Sequence, residues 1–214
     1  MVAVDVMRAT TTAVGIVWGG RRCLPVPSLE AAHAVAGRLE RPLLVGELGG
    51  RLPEGFELQN SPAAIEGRDD LERPAVLLST SGTRLLHEAS SAGAVYAACL
   101  RNLTAQIDQL ALGHRRVAVI GAGTKGEFRL EDQLACARIA AGLIDAGFRA
   151  GDGRTLEIVE RWREAPVAVC AYGRSAEYLR RTGQLEDLEF VLSRIDDVDA
   201  VFRFEAGELR RVRE

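Results

Sequence analysis

The segment AVLLSTSGTR (Ala75–Arg84) sets the architecture. Its four leading apolar residues do not alternate with polar ones, so Ala75–Ser79 reads as a strand covered on both faces. Small hydroxyl residues and a glycine follow, and a helical period runs over Thr83–Ser91. The same order recurs on either side. VAVDV (Val2–Val6), RCLPV (Arg22–Val26), PLLVG (Pro42–Gly46), AVYAA (Ala94–Ala98) and RVAVI (Arg116–Ile120) read as strands. Helical periodicity fills Ser28–Leu39, which opens on a capping serine, then Asn102–Leu112 and Glu131–Ala146, the last stopped by Gly147. Such alternation predicts a layered α/β fold with a largely parallel sheet. After Gly151 the pattern changes: Thr155–Trp162, Ser175–Arg181 and Leu185–Arg194 read as helices, and VFRF with GELRRV as a closing hairpin. With no low-complexity linker or repeat, residues 1–214 are expected to form one domain. VAVDV, beginning at residue 2, is expected to be an edge strand or to lack a preceding strand, and an exposed first strand would favour a homo-oligomer.

Composition narrows the function. The 214 residues are 47% hydrophobic, enough for a substantial core, and 27% charged. A net charge of -3 and a pI near 5.8 argue against nucleic-acid binding driven by overall charge. Any anion site must therefore be built locally. Cys23, Cys99, Cys136 and Cys170 lack metal-ligand spacing and read as buried thiols of a reducing compartment. The apolar N-terminal stretch carries Asp5 and Arg8 in its middle, unlike an export signal, and no uncharged run reaches membrane-spanning length. A cytoplasmic protein with no membrane partner is expected. Of the 27 basic residues 26 are arginine, and the single lysine, Lys125, lies in GAGTKGEF.

Ligands of open α/β sheets collect beyond the carboxyl ends of the strands. Four polar clusters follow apolar runs there. Asp5-Val-Met-Arg8-Ala-Thr10-Thr11-Thr12 joins an acid, a guanidinium and hydroxyls; the plain alternative is an Asp–Arg pair with threonine as an N-cap. Gly46-Glu47-Leu48-Gly49-Gly50 opens a long loop to Gln59-Asn60-Ser61-Pro62, where Asn60 and Ser61 either bind a ligand or cap a helix. Ser79-Thr80-Ser81-Gly82-Thr83-Arg84 reads as an anion cradle of N–H groups and hydroxyls beside one arginine. Gly121-Ala-Gly123-Thr-Lys125-Gly126 fits the GxGxxG dinucleotide pattern, but the helix opens near Glu131 and no strand-end acid follows about 20 residues on. A serine nucleophile would need a nearby base, but His33 and His87 fall in expected helices and His114 before a strand, and nothing in the sequence places one of them there. Strand-end acids (Asp5, Glu47, Glu131, Asp132) beside anion donors suit Mg²⁺ bridging protein oxygens to a phosphate, which points to phosphoester chemistry.

DVMRATTT, GELGG, LQNSP, LSTSGTR and GAGTKGEFRLED, in this order, resemble the motifs of the 2-phosphosulfolactate phosphatase family, from residue 2 to about Cys136, with a fainter echo in YGRSAEYLRRTG. The resemblance implies a three-layer α/β/α fold around a largely parallel or mixed sheet. It also implies a Mg²⁺-dependent phosphatase that takes a small phosphorylated sulfonate, releasing 3-sulfolactate as in coenzyme M biosynthesis. On that basis Asp5, Glu47, Glu131 and Asp132 are candidate metal ligands, with Asp5 and Arg8 catalytic. Thr10, Thr11, Ser61, the Thr80–Ser81–Gly82–Thr83 turn, Arg84 and Gly123 are candidate substrate contacts, and Asn60 and Lys125 candidates for the sulfonate or carboxylate end. The chain departs from the family pattern at Gln59, where glycine is usual, and at Ser81, where asparagine is common.

Overall fold

The computed structural model describes residues 1–124 and 126–212. Its strands are β1 (Val2–Val4), β2 (Cys23–Val26), β3 (Leu43–Gly46), β4 (Ala75–Leu78), β5 (Val95–Ala98), β6 (Val119–Gly121), β7 (Phe202–Glu205) and β8 (Glu208–Arg211). They form one mixed sheet in the order β3-β4-β2-β8-β7-β5-β1-β6. β3, β4 and β2 are parallel to one another, as are β5, β1 and β6. The β7–β8 hairpin lies between these groups and pairs antiparallel with β5 and with β2. Three successive antiparallel pairings give the two groups opposite senses. Strand twist of about 20–25° per step, accumulated over the five steps from β1 to β4, turns them toward each other. Their carboxyl ends meet at one cleft, where residues after β1, β3 and β4 line the same cavity.

The helices are α1 (Ala9–Trp18), α2 (Leu29–Ala36), α3 (Pro62–Glu66), α4 (Gly82–Glu88), α5 (Leu103–Gly113), α6 (Leu130–Asp145), α7 (Gly153–Trp162), α8 (Arg174–Arg181) and α9 (Leu185–Ser193). Alternate strand side chains feed opposite layers. Ala3, Ala75, Leu77 and Ala97 pack with Val14 and Ile16 of α1, Ile65 of α3 and Leu86 of α4. Val2, Val4, Tyr96 and Ala98 face Leu103 and Leu110 of α5 and Leu134 and Ile139 of α6. Val76 and Leu78 meet Ala32 of α2. The result is the three-layer α/β/α arrangement. Among the described residues no helix is long and apolar enough to cross a membrane, and the four cysteines are free thiols, three of them buried.

One expectation needs correction. β1 is not an edge strand: it pairs with β5 on one side and β6 on the other, so the argument for self-association through an exposed first strand falls away. The expected closing hairpin is present as β7–β8, and it fills the middle of the sheet. α1 has no helical periodicity to read, because Ala9–Val14 and Ile16 are all buried, leaving no polar face.

Candidate active site

Three of the four candidate acids are caught by backbone N–H groups in the turns that follow the strands. Asp5, just after β1, accepts from Ala9 N–H at the start of α1 at 3.2 Å, and the Gly82 amide adds to this pull. Glu47, after β3, accepts from Thr80 N–H at 2.7 Å, Thr80 O–H at 2.8 Å and Gly50 N–H at 2.7 Å. Asp132, in the first turn of α6, accepts from Val6 N–H at 2.8 Å and Gly123 N–H at 3.1 Å, tying β1 to the glycine loop. The turns that looked like anion cradles thus hold the protein's own carboxylates.

Glu47 owes its setting to a tight turn. Gly49 and Gly50 have φ of 60° and 83°, and Leu48 and Arg51 exchange both backbone hydrogen bonds across them. That conformation favours glycine at both positions. Gly50 then works in two directions: its N–H holds Glu47, and its C=O accepts from Tyr178 O–H of α8 at 2.6 Å. A Cβ at Gly50 would overlap the Tyr178 hydroxyl.

The carboxylates repel one another. Burial, then the charges of Glu47 and Glu131, push the Asp5 carboxyl up to about 7 against the opposing Ala9 and Gly82 amides. Burial, then Asp5 and Glu131, hold Asp132 well above the usual carboxylate range. Glu131 is 1% exposed and is raised by burial, an effect that the Ser175 hydroxyl only partly offsets. Neither of its carboxylate oxygens has a hydrogen-bond partner in good geometry among the described residues. Orphaned buried acceptors and crowded negative charge suit a hard cation with oxygen ligands. No trio of acids among the described residues stands at direct ligating distance, so water would complete such a shell.

A carboxyl whose folded pKa exceeds its unfolded value penalises the fold above the folded pKa, and the penalty fades as pH falls toward the unfolded value. For Asp5 this window runs from about 7 down to 3.8. In chelator, the melting temperature is expected to rise by at least about 3 °C between pH 8 and pH 5. A fall in thermal-melting scans over that range would contradict the clustering of acids.

Asp5, Met7, Arg8, Glu47, Asn60, Thr80 and Ser81 line a cavity of about 470 Å³, together with Arg129, Arg174, Tyr178 and Arg181. Of its acids Asp5 is buried, Glu47 half-buried and Glu177 exposed, and of its arginines Arg174 and Arg181 are exposed. Arg8 is buried, and its Nη1 donates to Asp187 Oδ2 and to Gln184 Oε1, each at 2.5 Å. Asp187 Oδ1 accepts from Ser61 O–H at 2.6 Å and from Ala63 N–H at 3.2 Å. Asn60 is buried with its Oδ1 unpartnered among the described residues.

Gly82 sits where no side chain fits: a Cβ would overlap Asp5 Oδ2 and lie 2.7 Å from Ala9 Cβ. Gly82→Ala is expected to displace Asp5, lowering stability by about 1–3 kcal/mol, as overpacking does, and activity at least about 100-fold. Near-normal phosphate-release rates in this variant would show that Asp5 can move without consequence.

Other sequence candidates fall outside the cavity lining. Thr10 O–H is shared between the carbonyls of Asp5 and Ala98, and Thr11 O–H goes to Val6 O, so both fasten the turn after β1. Ser61 caps α3 and Thr83 closes a ring of hydrogen bonds with Ser79. Gly123 supports Asp132, and Glu131 and Asp132 lie behind the lining. Arg84 points away and pairs with Glu88 at 2.7 Å. Lys125 lies outside the described residues. Sequence reading missed Asp187, Gln184, Tyr178, Arg129, Arg174 and Arg181. For the α8 residues the one available signal was the faint family echo in YGRSAEYLRRTG.

Residues 1–207 match the 2-phosphosulpholactate phosphatase family. Relatives carrying the name "Probable 2-phosphosulfolactate phosphatase" include one from Pseudothermotoga lettingae, 37% identical over 77% of this chain and 69% of the relative. Another, from Deinococcus radiodurans, is 33% identical over 95% of this chain and 92% of its own length. A third, from a Synechococcus species, is 32% identical over 96% and 84%. The match spans every element from β1 to β7, including the three strand ends that carry Asp5, Glu47 and the loop before Asp132, and the chain belongs to the 2-phosphosulpholactate phosphatase family, a family of phosphoric monoester hydrolases.

Proposed function

We propose that this chain is a Mg²⁺-dependent phosphatase that converts 2-phosphosulfolactate to 3-sulfolactate and phosphate, the type of reaction found in coenzyme M biosynthesis. The observation that carries this reading is one cavity lined by the buried Asp5 and half-buried Glu47 together with Arg8, Arg129, Arg174 and Arg181, with Glu131 and Asp132 packed behind it. Asp5 would hold the ion, with Glu47, Asp132 and Glu131 directly or through water. When bound, Mg²⁺ supplies Lewis-acid polarisation of the phosphoryl oxygens.

The chain's own groups do the rest. Arg8 is held in place by Asp187 and Gln184 through one nitrogen, leaving its other donors for a phosphoryl oxygen as charge builds there. Ser81 and Asn60 offer neutral polar contacts beside it. The amides on Asp5, Glu47 and Asp132 keep the carboxylates from reorienting, so little reorganisation is left for the reaction itself.

The test is phosphate release across a panel of phosphorylated hydroxy acids. 2-Phosphosulfolactate should show the highest kcat/KM. Tight binding with no release from any member would instead indicate a non-catalytic anion-binding protein on this fold.

A further inference from the structure

Arg129 and Arg174 reach the cavity from different elements, one just before α6 and the other at the start of α8. Both donate to the same oxygen, Glu127 Oε2, Arg129 at 3.3 Å and Arg174 in the closer contact. Arg174, Tyr178 and Arg181 follow the i, i+4, i+7 spacing, so one face of α8 borders the cavity, with Glu177 also in the lining. Two guanidinium groups that reach one anionic oxygen from separate elements engage Glu127 through a single carboxylate oxygen and not as a bidentate fork. Donors that arrive from two directions suit the three oxygens of a tetrahedral anion better than one flat carboxylate edge. Glu127 itself is exposed and outside the cavity lining, so an entering anion can replace it at the arginines.

We infer that Arg129 and Arg174 form the subsite for the sulfonate of the substrate, with Glu127 as the resident counter-ion that the sulfonate displaces. This rests on the phosphatase reading above, and it moves the sulfonate contact away from Asn60. The phosphate end then lies over the acids and Arg8, and the sulfonate arm, the longer branch of the three-carbon skeleton, reaches the α8 rim. Arg174, with 70% of its side chain exposed, can be replaced without opening the core.

The experiment compares 2-phosphosulfolactate with 2-phospholactate, which keeps the phosphate and carboxylate but lacks the sulfonate, and measures 3-sulfolactate binding by calorimetry. Arg174→Ala and Arg129→Ala should each reduce the wild-type kcat/KM preference for the sulfonated ester about tenfold or more, as loss of a charge-assisted contact does. They should weaken 3-sulfolactate binding by a similar factor, and Glu127→Gln should tighten it. Equal losses on both esters, or 3-sulfolactate binding unchanged in both arginine variants, would overturn the subsite. A wild type that releases no phosphate, yet binds 3-sulfolactate in an Arg174-dependent way, would end the phosphatase reading and leave the subsite standing.

Discussion

Asp5→Asn should lower kcat for 2-phosphosulfolactate at least about 1,000-fold and, in chelator, raise the melting temperature by several degrees. The two effects share one cause. Asp5 is close enough to Glu47, Glu131 and Asp132 to feel their charges, in a site where its charged form is disfavoured by burial and by those neighbours. Asparagine has nearly the same shape and can still accept from Ala9 N–H through its carbonyl. It removes the charge, which relieves the repulsion and favours the metal-free fold. It also removes the central anionic oxygen for a cation. A merely structural residue would lose stability and activity together, so stabilisation with inactivation is the signature to look for. Thermal melting and a phosphate-release assay on the same preparation read both. A kcat within tenfold of wild type would mean that Asp5 does not hold the ion.

Asp187→Ala should lower stability by about 3–5 kcal/mol, the usual result of stranding a buried charge. For a chain of this size that is a drop in melting temperature of roughly 10 °C. Asp187 is 3% exposed and joins three groups: Arg8, the Ser61 hydroxyl and the Ala63 amide at the start of α3. Without it Arg8 is left with Gln184 as its only side-chain partner among the described residues, and activity should fall about 100-fold as Arg8 loses its fixed position. Asp187→Asn separates the roles. Its amide oxygen can still serve Ser61 and Ala63, so it should keep more stability than the alanine variant while the weakened grip on Arg8 still costs activity. Full activity in both variants, shown by kcat and KM at saturating Mg²⁺, would remove Arg8 positioning from the account.

The acids were legible because an ionised group at the end of an apolar strand is costly without a partner, so Asp5 and Glu47 stood out from their neighbours alone. What occupies the adjacent donors was not legible. Thr80 lies 33 residues from Glu47, and Val6 lies 126 from Asp132; a local reading sees an empty cradle where the fold places a carboxylate. Arg84 is the reverse case, since Glu88 four residues on is the ordinary helix-surface partner, and that spacing was already visible. The α8 and α9 contributions were hidden because charged residues on a short helix look like a solvated face. Only the fold brings Gln184 and Asp187 to Arg8. Strand order was equally out of reach: nothing local to VAVDV says that β5 and β6 flank it, or that the last hairpin enters the middle of the sheet.

The most direct test of the whole account is the rate of phosphate release from 2-phosphosulfolactate as Mg²⁺ is titrated into chelator-treated protein. Carboxylates gathered from β1, β3 and α6 around one ion predict negligible release at first and saturable recovery on addition of Mg²⁺. Undiminished release in the presence of chelator would contradict it.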